Sequence, residues 1–255
     1  MLKSKYYILT VLVCILFMSC EKEQQRLTDA PSSPEDALVK TKTEKGITET
    51  YYYDSQKRIS KILFNTGSTS YFHEFTYSSN EIQEYKSEEP RYALEETLPS
   101  GATKYNRNSN PIVYKLNKQG YYVGLNSFYQ TQNMEYDDAG FMRKQSLGIQ
   151  DYSINEDYTN DGKNVEKMIG KGFSYVGGNF TINQSFIYYS DKINSIGNRN
   201  FGKSFLGKSS TNLLMTSIED GETAVFTYEF DANQRVIKKT ETKGLITNVT
   251  TYTYY

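Results

Sequence analysis

The chain has 255 residues, a formal charge of −1 and a mean hydropathy of −0.66. One His and two Cys exclude His-rich zinc sites, HExxH-type chemistry and a disulfide scaffold, and the lack of a basic block excludes nucleic acid as a partner. With 24 Tyr, 13 Phe and no Trp, the composition favours pleated, half-buried surfaces and hence β structure.

Residues 1–19 read as a secretory signal. Lys3 and Lys5 form a positive start, and Ile8 to Met18 is apolar except for Thr10. That run is too short to span a bilayer, which takes about 20 residues. Phe17 makes a poor ordinary cleavage site. Phe17-Met18-Ser19-Cys20 instead resembles a lipobox in the relaxed form of Bacteroidota, with Phe17 and Met18 in place of the usual Leu and Ala or Ser. Cleavage then falls between Ser19 and Cys20, and Cys20 carries the lipid. A diacylglyceryl group anchors stably, at about 0.8 kcal/mol per buried CH2. Glu21 and Glu23 resemble a surface-export signal. Cys14 leaves with the leader, so Cys20 is the only cysteine of the mature chain. This removes any thiolate metal site or cysteine nucleophile. Loss of Lys3 and Lys5 lowers the formal charge from −1 to −3.

Residues 20–46 read as the lipidated cysteine and a flexible tether. The stretch is polar, carries Pro31-Ser32-Ser33-Pro34 and has no apolar period. Such a coil reaches roughly 25–30 Å.

Residues 47–255 read as a single antiparallel β domain. Tyr71, His73, Phe75 and Tyr77 share one face of a strand, with Phe72, Glu74 and Thr76 on the other. Phe180, Ile182, Gln184, Phe186 and Tyr188 form a second such row, and Ala224, Phe226, Tyr228 and Phe230 a third. Asp161-Gly162, Gly177-Gly178 and Asp220-Gly221 are two-residue hairpin signals. Asn65-Thr66-Gly67 and Asn117-Lys118-Gln119-Gly120 are longer turns. The pattern predicts about a dozen strands in an all-β, up-and-down antiparallel meander with little helix, either a curled single sheet or an open or closed barrel. Residues 190–214 break the alternation and are expected to hold a long loop or one short helix. Gly170-Lys171-Gly172 and Gly207-Lys208-Ser209 lack the context of a phosphate loop and read as turns.

A hairpin unit repeats. Tyr53-Asp54-Ser55-Gln56-Lys57-Arg58-Ile59 matches Phe230-Asp231-Ala232-Asn233-Gln234-Arg235-Val236; Tyr136-Asp137-Asp138-Ala139-Gly140-Phe141 is a third copy and Tyr158-Thr159-Asn160-Asp161-Gly162 a looser fourth. The Asp residues lack the spacing of a calcium loop and read as turn residues that bond their own backbone. The unit resembles the YD repeats of Rhs-type shell proteins. Together with the lipobox, the Gly207–Leu214 segment and the C-terminal hairpin, the chain resembles a family of Bacteroidota surface lipoproteins of unknown function. That resemblance implies a porin-like β-sheet fold and brings no activity or catalytic residue.

His73 reads as a packed histidine bonded to a tyrosine hydroxyl, because Glu74 lies on the opposite face. Glu81, Glu84, Glu88, Glu89, Glu95 and Glu96 read as a solvated acidic loop around Pro90. These readings lead to a lipid-anchored cell-envelope protein, surface-exposed at the outer membrane. It is expected to be a non-enzymatic binding or structural module without cofactor or metal. Its partners are the membrane, through Cys20, and a glycan or envelope-protein ligand. Two alternatives are a carbohydrate-active enzyme using carboxylates of the 81–96 region and an outer-membrane barrel or pore accessory. Lys, Glu, Thr and Gln on both faces of most strands argue against the barrel that spans lipid.

Overall fold

A computed structural model describes residues 33–87, 96–97, 103–104, 111–126, 130–149 and 151–255. Ser19, Cys20 and the first part of the tether lie outside the described residues. A 3-10 turn, Pro34–Asp36, precedes β1 (Val39–Glu44), β2 (Ile47–Tyr53), β3 (Ile59–Asn65), β4 (Ser70–Tyr77) and β5 (Glu81–Lys86). Two short strands, β6 (Glu96–Thr97) and β7 (Thr103–Lys104), pair only with each other. Then follow β8 (Ile112–Leu116), β9 (Tyr122–Asn126), β10 (Gln130–Tyr136), β11 (Met142–Ile149), β12 (Tyr152–Asn160), β13 (Val165–Ser174) and β14 (Gly178–Ile193). The last four are β15 (Asn212–Glu219), β16 (Glu222–Phe230), β17 (Val236–Lys243) and β18 (Ile246–Tyr254).

Sixteen of these strands close an antiparallel barrel in which each pairs with its neighbours in order and β1 pairs with β18. The period-two rows of β4, β14 and β16 are the inward faces. On β16, Ala224 and Phe226 are buried while Thr223, Val225, Thr227 and Glu229 are exposed. Two expectations need correction. The barrel exceeds the dozen strands expected, and its first strand lies inside residues 20–46, the stretch read as tether. Val39–Glu44 has no apolar period because, beyond the buried Val39, its inward positions Lys42 and Glu44 are charged; pairing to both β18 and β2 holds it in the sheet.

Four strand connections at one rim, β2–β3, β8–β9, β10–β11 and β16–β17, share a design. At that rim Asp54 Oδ1 accepts from Gln56 N and Arg58 N, and Asp231 Oδ1 accepts from Asn233 N and Arg235 N. Arg58 Nε and Arg235 Nε each donate to the same Asp at 2.7 Å. Asn117 takes the Asp role in the β8–β9 turn, accepting from Gln119 N and Tyr121 N. Lys57 and Gln234 hold positive φ where Gly120 and Gly140 stand in the other copies. Each turn ends in a β-bulge, with the register shifting beside Tyr53, Tyr136, Asn160 and Phe230. The opposite rim has tight hairpins. Asp220-Gly221 has positive φ at both central residues, as expected, and so does Lys45-Gly46. Back at the rim of the Asp turns, Asp161-Gly162 opens a longer loop, closed by Asp161 N donating to Asn164 O, and Gly170-Lys171-Gly172 lies within β13 rather than in a turn.

A bulge leaves backbone groups without ladder partners, and buried ones must be satisfied. Here the inward tyrosines do it. Tyr77 donates to Ile59 O at 2.6 Å, Tyr188 to Val165 O at 2.7 Å and Tyr254 to Val236 O at 2.8 Å. The matching N–H groups are taken by the loop joining β14 to β15, residues 194–211. Ile59 N donates to Gly202 O, Val165 N to Ser210 Oγ and Val236 N to Ser195 Oγ. This is the long loop expected within residues 190–214, and it holds two 3-10 turns, Asn198–Phe201 and Ser204–Leu206. It lies across the rim as a cap. Phe205 is buried and Ile196, Phe201 and Leu206 pack against the interior core around Tyr51, Ile59, Ile62 and Val236. Asn200 Nδ2 donates to Ala37 O at 2.8 Å and reaches Pro34 O and Glu35 O. The chain segment before β1 is thereby tied to the same rim.

Candidate binding site in the barrel interior

Above the capped, apolar end, the inner wall of β1, β2, β4, β5 and β8 turns polar. Pairing sets which side chains meet. Lys42 is opposite Glu49, and both face inward beside Glu44 and Tyr51. Lys42 Nζ lies 3.1 Å from Glu49 Oε1 and 3.4 Å from Glu44 Oε2, while the Tyr51 hydroxyl donates to Glu49 Oε2. Across the wall, His73 Nδ1 donates to Glu84 Oε1 at 2.6 Å, and the Tyr114 hydroxyl donates to Glu84 Oε2. From the cap, Lys203 brings its Nζ to 5.8 Å from the Tyr51 ring centre, within the fields of Glu49 and Glu84.

Burial alone would push the Glu84 carboxyl up. The His73 and Tyr114 donors, with Lys86 nearby, outweigh it and hold the group below its usual range. Burial drives Tyr114 and Tyr51 well above an ordinary phenol, and Glu84 and Glu49 reinforce the rise. Lys203 is lowered by burial, opposed by Glu49 and Glu84, with Lys42 adding repulsion. The site is therefore a set of coupled fixed charges, closed below by the cap. Glu84 accepts through both oxygens and is only 7 % exposed.

His73 is packed as expected, against Phe64 and Tyr71, but its hydrogen-bond partner is a carboxylate and not a tyrosine hydroxyl. Glu74 does face outward, to Lys61. Glu84 lies in a strand and is buried, against the expectation of a solvated acidic loop; Glu88, Glu89 and Glu95 lie outside the described residues. The alternation Ile82-Gln83-Glu84 carried the signal, since it places Glu84 on the face of Ile82. Lys203 had no such signal, because the cap has no period. Among the described residues no group of three His, Cys, Asp or Glu could hold a metal ion.

The outer wall is mixed: Ile169, Phe173, Ile187, Val225 and Val249 are exposed on it among charged and hydroxyl side chains. Exposed ion pairs join Arg143 to Glu135 at 2.7 Å, Lys238 to Glu229 at 2.7 Å, Lys144 to Asp157 at 3.9 Å and Lys61 to Glu74 at 3.6 Å. Threonine hydroxyls pair across strands, Thr41 with Thr253 and Thr43 with Thr48. No helix among the described residues is long and apolar enough to cross a membrane, which leaves strands untouched as a route.

This architecture has solved counterparts. The fold is porin-like. The chain is similar to a porin-like protein from Bacteroides uniformis at 15 % identity and a TM-score of 0.56, covering 88 % of this chain and 100 % of that one. It is similar to a porin-like protein from Bacteroides vulgatus at 10 % identity and a TM-score of 0.56, covering 86 % and 99 %. No protein-family profile and no curated protein matches the sequence. The porin-like barrel here carries ion pairs on both its inner and its outer wall and a cap across one mouth.

Proposed function

We propose that the protein is a lipid-anchored, non-enzymatic binding module of the cell envelope, displayed on the outer membrane by Cys20 and standing clear of the bilayer. The outer wall carries this reading. Lipid-facing Arg or Lys near the midplane costs about 2–4 kcal/mol each, and β12 and β13 alone expose Asn155, Asp157, Lys167 and Lys171. The segment before β1 enters at the capped rim, so the tether from Cys20 would leave from there. The test is fractionation. Cys20→Ser is expected to move a folded barrel from the membrane to the soluble fraction. Retention of that variant in membranes after a high-salt wash would replace this reading with that of an integral barrel.

A further inference from the structure

Two clefts open on the capped rim and run into each other. The first, about 560 Å3, lies between the cap and the β2–β3, β4–β5 and β8–β9 turns. Its floor is apolar, with Tyr77, Ile82, Leu116 and Phe205, and its walls carry Gln56, Lys57 and Arg58. The second, about 380 Å3, is bordered by Asn194, Asn198, Lys208, Ser210 and Thr211 of the cap. Tyr121, Arg199 and Ser204 line both, so the two form one groove with an aromatic ring and a guanidinium at its middle. Each volume falls in the roughly 300–1,000 Å3 range of ligand sites.

The groove offers polar groups that the fold leaves unspent. Among the described residues, the Gln56 amide, the Lys57 ammonium and the Ser204 hydroxyl have no hydrogen bond or ion pair, whereas neighbouring Asn198 spends its amide on Gly207 O. Arg58 is held by Asp54 and Arg199 by Asp36. Lys57, Arg58, Arg199 and Lys208 stand against Glu35 and Asp36 on the lining. The Tyr121 ring is backed by Tyr136 at 4.9 Å between ring centres, which fixes it. A long, hydroxyl- and amide-rich groove with a braced aromatic face and a cationic excess matches an extended polyol that bears carboxylates. We infer that this groove binds a free acidic oligosaccharide chain, with Tyr121 stacking on a sugar ring and Lys57 and Lys208 meeting its carboxylates. The inference rests on the binding-module reading and names its ligand class.

The test titrates the soluble Cys20→Ser chain with oligogalacturonate, with maltoheptaose as the uncharged sugar and poly-L-glutamate as the sugar-free polyanion. Oligogalacturonate is expected to bind, more weakly as salt rises. Lys57→Gln and Lys208→Gln should each weaken it about fivefold, the scale of one solvated charge contact, and Glu35→Gln should tighten it about as much. Tyr121→Leu should weaken binding while Tyr121→Phe retains it, with unchanged melting of both variants showing that the fold is intact. Three results would overturn the inference: no binding of oligogalacturonate, equal binding of either control, or indifference to all these substitutions. A chain that fractionates as soluble yet fails the titration overturns the groove alone and leaves the anchoring proposal standing.

Discussion

Tyrosine abundance has a specific cause at the level of single residues. The three bulge residues Ile59, Val165 and Val236 present carbonyls that the ladder cannot use, and Tyr77, Tyr188 and Tyr254 supply the missing donors. Arg58 and Arg235 then lie over the rings of Tyr77 and Tyr254, 4.1 Å and 4.7 Å from the centroids. Tyr77→Phe and Tyr254→Phe should each cost about 1–2 kcal/mol in urea unfolding, because a buried carbonyl is stranded, whereas exposed Tyr175→Phe should change nothing measurable. Burial pushes the Tyr254 hydroxyl up to about 12, so it stays a donor at any pH at which the barrel works. Glu84 makes the opposite contribution. Its carboxyl titrates lower in the folded chain than in the unfolded one, so it stabilises the fold above the ordinary glutamate value of about 4.3 and that stabilisation disappears as pH falls through the folded value. Glu84→Gln should therefore flatten part of the acid side of the stability–pH curve, with Asp54, Asp161 and Asp231, also lowered, supplying the remainder.

Among the elements, the cap decides what the repeats are for. Asp-turn hairpins were legible in the sequence as a recurring unit, because aromatic-Asp-x-x-x-Arg is a local pattern with local chemistry. Their joint purpose was not legible, since the N–H groups they orphan are met by Ser195, Gly202 and Ser210, far away in the chain. Ser195→Ala should leave the buried Val236 N–H without an acceptor, at a cost of about 1–3 kcal/mol. Hydrogen exchange should quicken at Val236 more than at Thr242 of the same strand. Gly202 has φ of 64°, and a Cβ there would stand 2.6 Å from Ile59 N, so the cap's close approach to β3 depends on the missing side chain. The inward rows of β4, β14 and β16 were readable from period two, but β1 was not, as alternating Lys and Thr read as polar coil until both neighbours are known. Glu84 was hidden among neighbouring glutamates, although β5 turns it inward while Glu81 lies on the other face.

At the scale of the whole molecule, a porin-like barrel need not conduct. The cap fills the mouth at the rim of the termini, and exposed ion pairs mark the wall. Purified protein added to a planar bilayer is expected to give no discrete conductance steps; steps that vanish on deleting residues 196–209 would not fit a capped barrel and would favour a pore. Closure also binds the molecule in time. The seam is made by β1 and β18, and Thr41 reaches Thr253 across a separation of 212 residues. The ring cannot lock until the last strand has left the ribosome. Loop-closure entropy makes such a late, remote contact slow to form. The seam therefore stays open until β18 has been made, and the sheet keeps two unpaired edges until then.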